Sequence, residues 1–207
     1  MIRAEALDQV AGYYEAQLRT HGASPQGTGW NGAEAQTLRF SQLAKLLPPH
    51  TPYSVTDLGC GYGALVGFLN ERKHEFQYVG CDISAPMIDC ARRHYAALAN
   101  VTFAVSAAPS GSSDYCVASG IFNVPMAAGV AEWQAHVEAT IALMHSIGQR
   151  GFAFNCLTTY SDAEKMSPSL YYGDPCYYFD LCKKKYSRDV ALLHDYGLYD
   201  FTIIVRK

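Results

Sequence analysis

The sequence predicts an α/β fold: one doubly wound, mostly parallel sheet of seven strands with an antiparallel hairpin at its C-terminal edge. Three observations carry the prediction. From residue 53 onward, short β-branched or apolar runs alternate with helical stretches, as βαβ units require. The run Phe152–Leu157 is nearly continuously apolar, the pattern of a parallel strand buried on both faces. The last two strand-like runs, Val190–His194 and Phe201–Val205, lie too close together to enclose a crossover helix, so they pair antiparallel.

In chain order, a helix is expected over about Ile2–Thr20, then a loop rich in Gly, Ser, Pro and Thr from Gly22 to Gly32. A second helix, about Ala33–Leu47, puts Phe40, Leu43 and Leu47 on one face and stops at Pro48-Pro49. Tyr53–Leu58 reads as the first strand, because it is β-branched and runs into glycines. Gly63–Arg72 follows as a helix and Phe76–Cys81 as the second strand. Ser84 caps a helix with Pro86 in its first turn, reaching about Ala99. Val101–Val105 and Asp114–Ala118 are the third and fourth strands, joined by a short Pro-Ser-Gly-Ser-Ser connection. Val130, Trp133, Val137, Ile141 and Met144 recur at helical spacing before the fifth strand. Asp174-Pro175 then starts a helix to about Lys185, whose three lysines suit a solvated C-terminal turn.

Composition narrows the function classes. The chain is 49% hydrophobic and 17% charged over 207 residues, a globular balance. At roughly 150 residues per domain, that length suits one domain with an appendage. A net charge of −3 provides no broad basic field, so a general nucleic-acid binder is not expected. No apolar h-region follows Met1, and the longest uncharged stretch, Tyr115–Ala131, holds Ser119, Gly120, Asn123 and Pro125. Neither a secretory signal nor a membrane span is therefore expected. Seven cysteines with no Cys-x-x-Cys pair read as reduced thiols of a cytoplasmic protein rather than a disulfide framework or metal site.

The chemistry is concentrated in Val55-Thr56-Asp57-Leu58-Gly59-Cys60-Gly61-Tyr62-Gly63-Ala64. Three alternate glycines allow a sharp turn after the strand and let a ligand lie against bare peptide. The next helix then offers its first amides to an anionic group. Glycine spacing alone is ambiguous, since Gly59-x-Gly61-x-x-Ala64 also satisfies a dinucleotide fingerprint. Asp57 separates the readings: a carboxylate at the loop's mouth repels a pyrophosphate and attracts an ammonium or sulfonium. Asp82 stands 19 residues after Gly63, at the tip of the second strand, where an acid can accept from both ribose hydroxyls. Turn or capping roles remain the plainer alternatives for both acids.

Asp57-Leu58-Gly59-Cys60-Gly61-Tyr62-Gly63 together with Gly80-Cys81-Asp82-Ile83-Ser84 resembles the class I S-adenosylmethionine-dependent methyltransferase family. The resemblance runs from about Tyr53 to the C-terminus and includes the terminal hairpin. The opening segment, with Tyr13-Tyr14, Trp30-Asn31 and Leu38-Arg39-Phe40, is similar to that of a group of small bacterial members. The resemblance implies a Rossmann-like domain over 51–207 that binds S-adenosyl-L-methionine. Residues 1–50 are expected to form a helical segment covering the cleft, because a helix and loop outside the sheet commonly sit at the strands' carboxyl end. Gly59, Cys60, Gly61 and Gly63 would line the methionyl part, Asp57 would sit by its ammonium and Asp82 would hold the ribose. Ile83 and Met87 would flank the adenine. Ser106 and Ala107 stand where the family often has an acid for the adenine amine. Ser119 and Gly120 would bring backbone to the cofactor, and Arg39 would pair with its carboxylate.

The expected reaction is transfer of the methyl to O, N or C of a small-molecule acceptor by in-line displacement. Tyr13, Trp30, Phe122, Asn123, Tyr171 and Tyr172 are the candidate acceptor contacts. Five tyrosines between Tyr160 and Tyr178 lie in the connection after the fifth strand, which could overhang the pocket. Phe122-Asn123-Val124-Pro125 does not match the Asn-Pro-Pro-aromatic order of amine-directed relatives, so no amine acceptor is inferred. No residue stands out as a general base. Of the seven histidines, His21 is favoured slightly because it sits in the covering segment, while His136 and His145 read as solvated or packed. A protein that holds the cofactor without turnover and a nicotinamide-dependent oxidoreductase are the competing functions.

Overall fold

A computed structural model of the chain describes residues 4–28, 32–109, 111–126 and 128–207. Helix α1 spans Ala4–His21 and α2 spans Ala33–Leu43. Strand β1 (Tyr53–Leu58), helix α3 (Ala64–Glu71), strand β2 (Phe76–Asp82), helix α4 (Ala85–His94) and strand β3 (Val101–Val105) form the first half of the sheet layer. Strand β4 (Ser113–Ala118), helix α5 (Val130–Ile147), strand β5 (Gly148–Leu157), helix α6 (Pro175–Lys185), strand β6 (Asp189–Leu193) and strand β7 (Asp200–Arg206) form the second. The seven strands make one sheet in the order β3-β2-β1-β4-β5-β7-β6. Neighbours from β3 to β5 are parallel, and β7 is antiparallel to both β5 and β6, so the expected architecture holds.

Side-chain alternation in these strands builds two cores. On one face, Trp133, Val137, Ile141 and Met144 of α5 and Tyr178 of α6 pack on Cys116, Phe152, Phe154 and Phe201. On the other, Phe40 and Leu43 of α2, Leu65 to Leu69 of α3 and Ile88 of α4 cover Val55, Tyr78, Val117 and Ile204. No helix among the described residues connects β3 to β4, and Val79 on the β2 face left open is 38% exposed. All seven cysteines are free thiols. No helix among the described residues is long and apolar enough to cross a membrane.

Three boundaries differ from the sequence reading, each for a local reason. Helix α4 ends at His94 rather than near Ala99, where Tyr95 turns in to stack on Phe103 with ring centroids 6.0 Å apart. Helix α2 tightens into a 3-10 turn at Ala44–Leu46 ahead of the prolines. Strand β5 begins at Gly148, four residues before its apolar run, because exposed Gln149 and Arg150 hide the pairing from a hydrophobicity pattern.

The topology fixes the position of the site. From β1 the chain steps outward to β2 and β3, then returns to place β4 on the opposite side of β1. At such a reversal the connections leave in opposite directions and open a crevice beyond the strands' carboxyl ends.

Candidate functional site

The crevice is floored by the loop after β1. Gly59, Gly61 and Gly63 have φ of +71°, +54° and +82°, the left-handed region that favours glycine. The amides of Gly59 and Cys60 both donate to the Cys81 carbonyl, at 2.7 and 3.0 Å, which ties the loop to the end of β2. A Cβ on Gly59 would stand 2.1 Å from Ile121 Cγ2, so glycine there permits the loops after β1 and β4 to meet. At Gly63 a Cβ would stand 2.8 Å from Tyr95 Cε2 and 3.0 Å from Phe103 Cζ. Gly63 therefore serves close packing beneath the loop and does not line the cleft, a correction to its expected place beside a ligand.

Two carboxylates face this floor. Asp57, at the end of β1, accepts the Tyr78 hydroxyl at 2.6 Å. Burial pushes its carboxyl up to about 7; the Tyr78 bond opposes that shift and the neighbouring Asp82 adds to it. Asp82 accepts the Gly61 amide on one oxygen and the Ser84 amide on the other, both at 2.9 Å. Burial raises its pKa, against the pull of those amides. Each Asp82 oxygen keeps lone-pair capacity for a further donor from the cleft.

The cleft measures about 1110 Å³ counting its open mouth. Its lining brings together Asp57, Gly59, Cys60, Gly61, Asp82, Ile83, Met87, Ser106, Ala107, Ser119 and Gly120, as expected from their places at the strand ends. Ser106 is anchored by its amide, which donates to the Asp82 carbonyl at 2.9 Å. Gly120 is anchored by its amide, which donates to Asn155 Oδ1 at 2.8 Å. No Lys or Arg lines the cleft among the described residues. Two carboxylates with no cation suit a positively charged nucleoside and not a pyrophosphate. The bare peptide at Gly61 and the apolar flank of Ile83 and Met87 fit the rest of such a molecule.

Several other expected contacts lie elsewhere. Arg39 is 7% exposed, and its guanidinium sits 2.5 Å from Asp200 at the start of β7, so it joins α2 to the sheet rather than facing the cleft. Phe122 is fully buried, edge-on to Phe154, and its carbonyl accepts from Trp133 Nε1 at 2.8 Å. Asn123 accepts the Leu157 amide on its side chain at 3.3 Å and the Tyr171 amide on its carbonyl at 2.9 Å, tying the β4 loop to the end of β5. Tyr171 exchanges a 2.6 Å hydroxyl contact with Tyr178 in the core, and Tyr172 accepts the Ser167 amide at 2.8 Å. The connection after β5 thus packs on its own face of the sheet and contributes no residue to the cleft wall. Tyr13 lies edge-on to Tyr14 at 5.1 Å, and Tyr14 is the one that lines the cleft. Trp30 lies outside the described residues.

The rest of the lining comes from residues outside the set of expected contacts. Leu7, Val10 and Tyr14 come from α1, Thr28 from the loop after it, and Gln36 and Phe40 from α2. Ile121 follows β4, and Trp133, His136 and Thr140 come from α5. The i, i+3, i+7 spacing of Trp133, His136 and Thr140 was a readable signal for one helix face, though apolar periodicity drew attention to Val137 and Ile141 instead. His21 is exposed at the end of α1 and does not line the cleft.

Comparison with known proteins agrees with this geometry. Residues 55–149 match the family described as a methyltransferase domain. The candidate methyltransferase Rv1506c of Mycobacterium tuberculosis is 53% identical over 156 residues, covering 75% of this chain and 94% of that protein. Among solved structures, magnesium protoporphyrin IX methyltransferase from Synechocystis PCC 6803 with bound S-adenosylmethionine aligns over 100% of both chains at TM-score 0.67 and 19% identity. The N-methyltransferase NodS of Bradyrhizobium japonicum, in complex with S-adenosylhomocysteine, covers 95% of this chain and 97% of its own at TM-score 0.68 and 14% identity. At those identities the two structures speak for the fold alone.

Proposed function

Since the chain belongs to the class I S-adenosylmethionine-dependent methyltransferases and binds that cofactor, we propose that it methylates a small molecule seated in the same cleft, under the N-terminal helical segment 1–50. The observation that carries this reading is the division of the cleft. One end has two carboxylates and no cation; the other is walled by Leu7, Val10, Ile121 and Trp133, which pack as one apolar cluster. When bound, the cofactor supplies an activated methyl on a sulfonium, which leaves binding, orientation and exclusion of water to the protein.

In this reading Asp82 holds the ribose hydroxyls with the lone pairs its backbone partners leave free. Asp57 balances the ammonium, while Gly59, Cys60, Gly61, Ser119 and Gly120 offer backbone to the methionyl arm. Ile83, Met87, Ser106 and Ala107 bound the adenine, with Ser106 standing in for an acid. The acceptor lies on the β4–β5 side, under α1 and against α5, where an apolar wall favours a compact organic molecule over a charged polymer. Positioning alone can contribute on the order of 7–11 kcal/mol when reactants are held at attack distance.

Calorimetric titration with S-adenosylhomocysteine tests the assignment. Asp82→Ala is expected to lower affinity on the order of 100-fold, since it removes charge-assisted bonds worth roughly 1.5–3 kcal/mol each. Unchanged affinity in a folded Asp82→Ala protein would refute it. Formation of S-adenosylhomocysteine with some member of a small-molecule panel tests the acceptor class.

A further inference from the structure

The cleft's two ends differ in what they can do with a proton. At the β1–β2 end, Asp57 and Asp82 are occupied by the cofactor's ammonium and ribose in the reading above, which leaves neither open to the acceptor. Burial makes Cys60, Tyr62 and Tyr14 hold their protons more tightly than usual, so none is a ready acceptor. On the β4–β5 side one cleft-lining group among the described residues can take a proton near neutral pH, and it is His136. It is half-buried on α5, its ring 5.0 Å from that of Trp133 and tilted by 44°. Trp133 and Val10 belong to one apolar cluster, with Leu7, Tyr14 and Ile121 packed against it. Burial holds the imidazole below its ordinary pKa, so its lone pair is open at pH 7. Glu132 lies one turn back on α5, and the positive charge of the chain's N-terminus lowers the imidazole's pKa further.

We propose that His136 is the general base for methylation of an aromatic hydroxyl, held by the apolar wall between α1 and α5. The proposal rests on the small-acceptor reading above. In the step, the His136 imidazole takes the hydroxyl proton as the acceptor oxygen bonds to the methyl carbon. The carbon–sulfur bond breaks, and its electron pair neutralises the sulfonium. The imidazolium then releases its proton to solvent. An amine that is already a free base needs no such group; a phenol that is mostly protonated at neutral pH does.

The test uses the full chain, wild type and His136→Gln, with substituted phenols and matching benzylamines as acceptors. S-adenosylhomocysteine affinity is expected to be equal in the two proteins, since the substitution leaves Asp57, Asp82 and the glycine loop unchanged. The wild type is expected to methylate phenols. His136→Gln should lose roughly 100-fold or more in kcat/KM on weakly acidic phenols, the usual range for a positioned base. It should lose far less on 4-nitrophenol, which ionises unaided. In the presence of S-adenosylhomocysteine, where no turnover occurs, the absorbance of bound 4-nitrophenolate should appear at lower pH in the wild type than in the variant. In the wild type, kcat for weakly acidic phenols at saturating cofactor should fall as pH drops through the imidazole's titration, a measurement that needs no variant.

Turnover of benzylamines but of no phenol would overturn the role of His136 and leave the small-acceptor reading standing. Cofactor binding without turnover of any small molecule would overturn that reading itself. A His136→Gln loss that is uniform across phenols, or that extends to S-adenosylhomocysteine affinity, would make His136 a packing residue and sink the proposal.

Discussion

Asp57 couples the site to pH through a sign that can be worked out. Its folded pKa of about 7 lies above the ordinary 3.8, so the ligand-free protein holds a proton there that the unfolded chain has lost. The stability this provides is full below the ordinary value and is lost as pH rises through about 7. A cationic ligand needs the ionised form, so affinity moves the opposite way. S-adenosylhomocysteine, which keeps the ammonium, should bind more tightly at pH 8 than at pH 6, with proton release detectable in buffers of different ionisation enthalpy. The melting temperature of the ligand-free wild type, taken relative to Asp57→Asn, should fall over the same range. A flat affinity profile would mean that Asp57 does not face the ammonium. The place of this residue on the cleft floor was legible in the sequence because it follows from its distance to a glycine turn. Asn123, Tyr171 and Tyr172 were not: their partners Leu157, Tyr178 and Ser167 are set by how the loops fold back, which no local spacing records.

Arg39 shows the same limit for a whole element. Helix α2 could be placed from its apolar stripe, but its rotation is fixed by a buried contact with Asp200, 161 residues away. That rotation turns Gln36 and Phe40 to the cleft and Arg39 to the sheet. Removing one partner of a buried pair leaves the other charge unpaired, at a cost of about 3–5 kcal/mol. Arg39→Ala should therefore lower the urea midpoint substantially, while the protein that remains folded binds S-adenosylhomocysteine with near-normal affinity. Loss of affinity with little loss of stability would return Arg39 to the cofactor. Helix α5 makes the complementary point. Its buried stripe was readable as a period of 3.6, yet the flanking stripe that carries His136 and Thr140 acquires meaning only because it faces the cleft.

Across the whole molecule, the hairpin and the alternation of strands and helices specify the sheet, because antiparallel closure and parallel crossovers have different chain lengths. The placement of the N-terminal segment rested on where elements outside a sheet commonly sit and not on any such rule. In the structure, α1 reaches the cleft with Leu7, Val10 and Tyr14, and Val10 alone of these is buried, at 7% exposure. Helix α5 instead buries Trp133, Val137, Ile141, Met144 and Ile147. Local opening follows such differences in buried apolar contact, so α1 should open at far lower free energy than α5. Amide hydrogen exchange should be fast throughout α1 and slow in α5 in the ligand-free protein. In the proposed reading a bound cofactor fills the space beneath α1 and supplies contacts it otherwise lacks. S-adenosylhomocysteine should accordingly slow exchange in α1 and leave the centre of α5 unchanged. Protection of α1 equal to that of α5 without ligand would show a fixed wall, and access of the acceptor would then have to come through the open mouth of the cleft instead of past a helix that lifts.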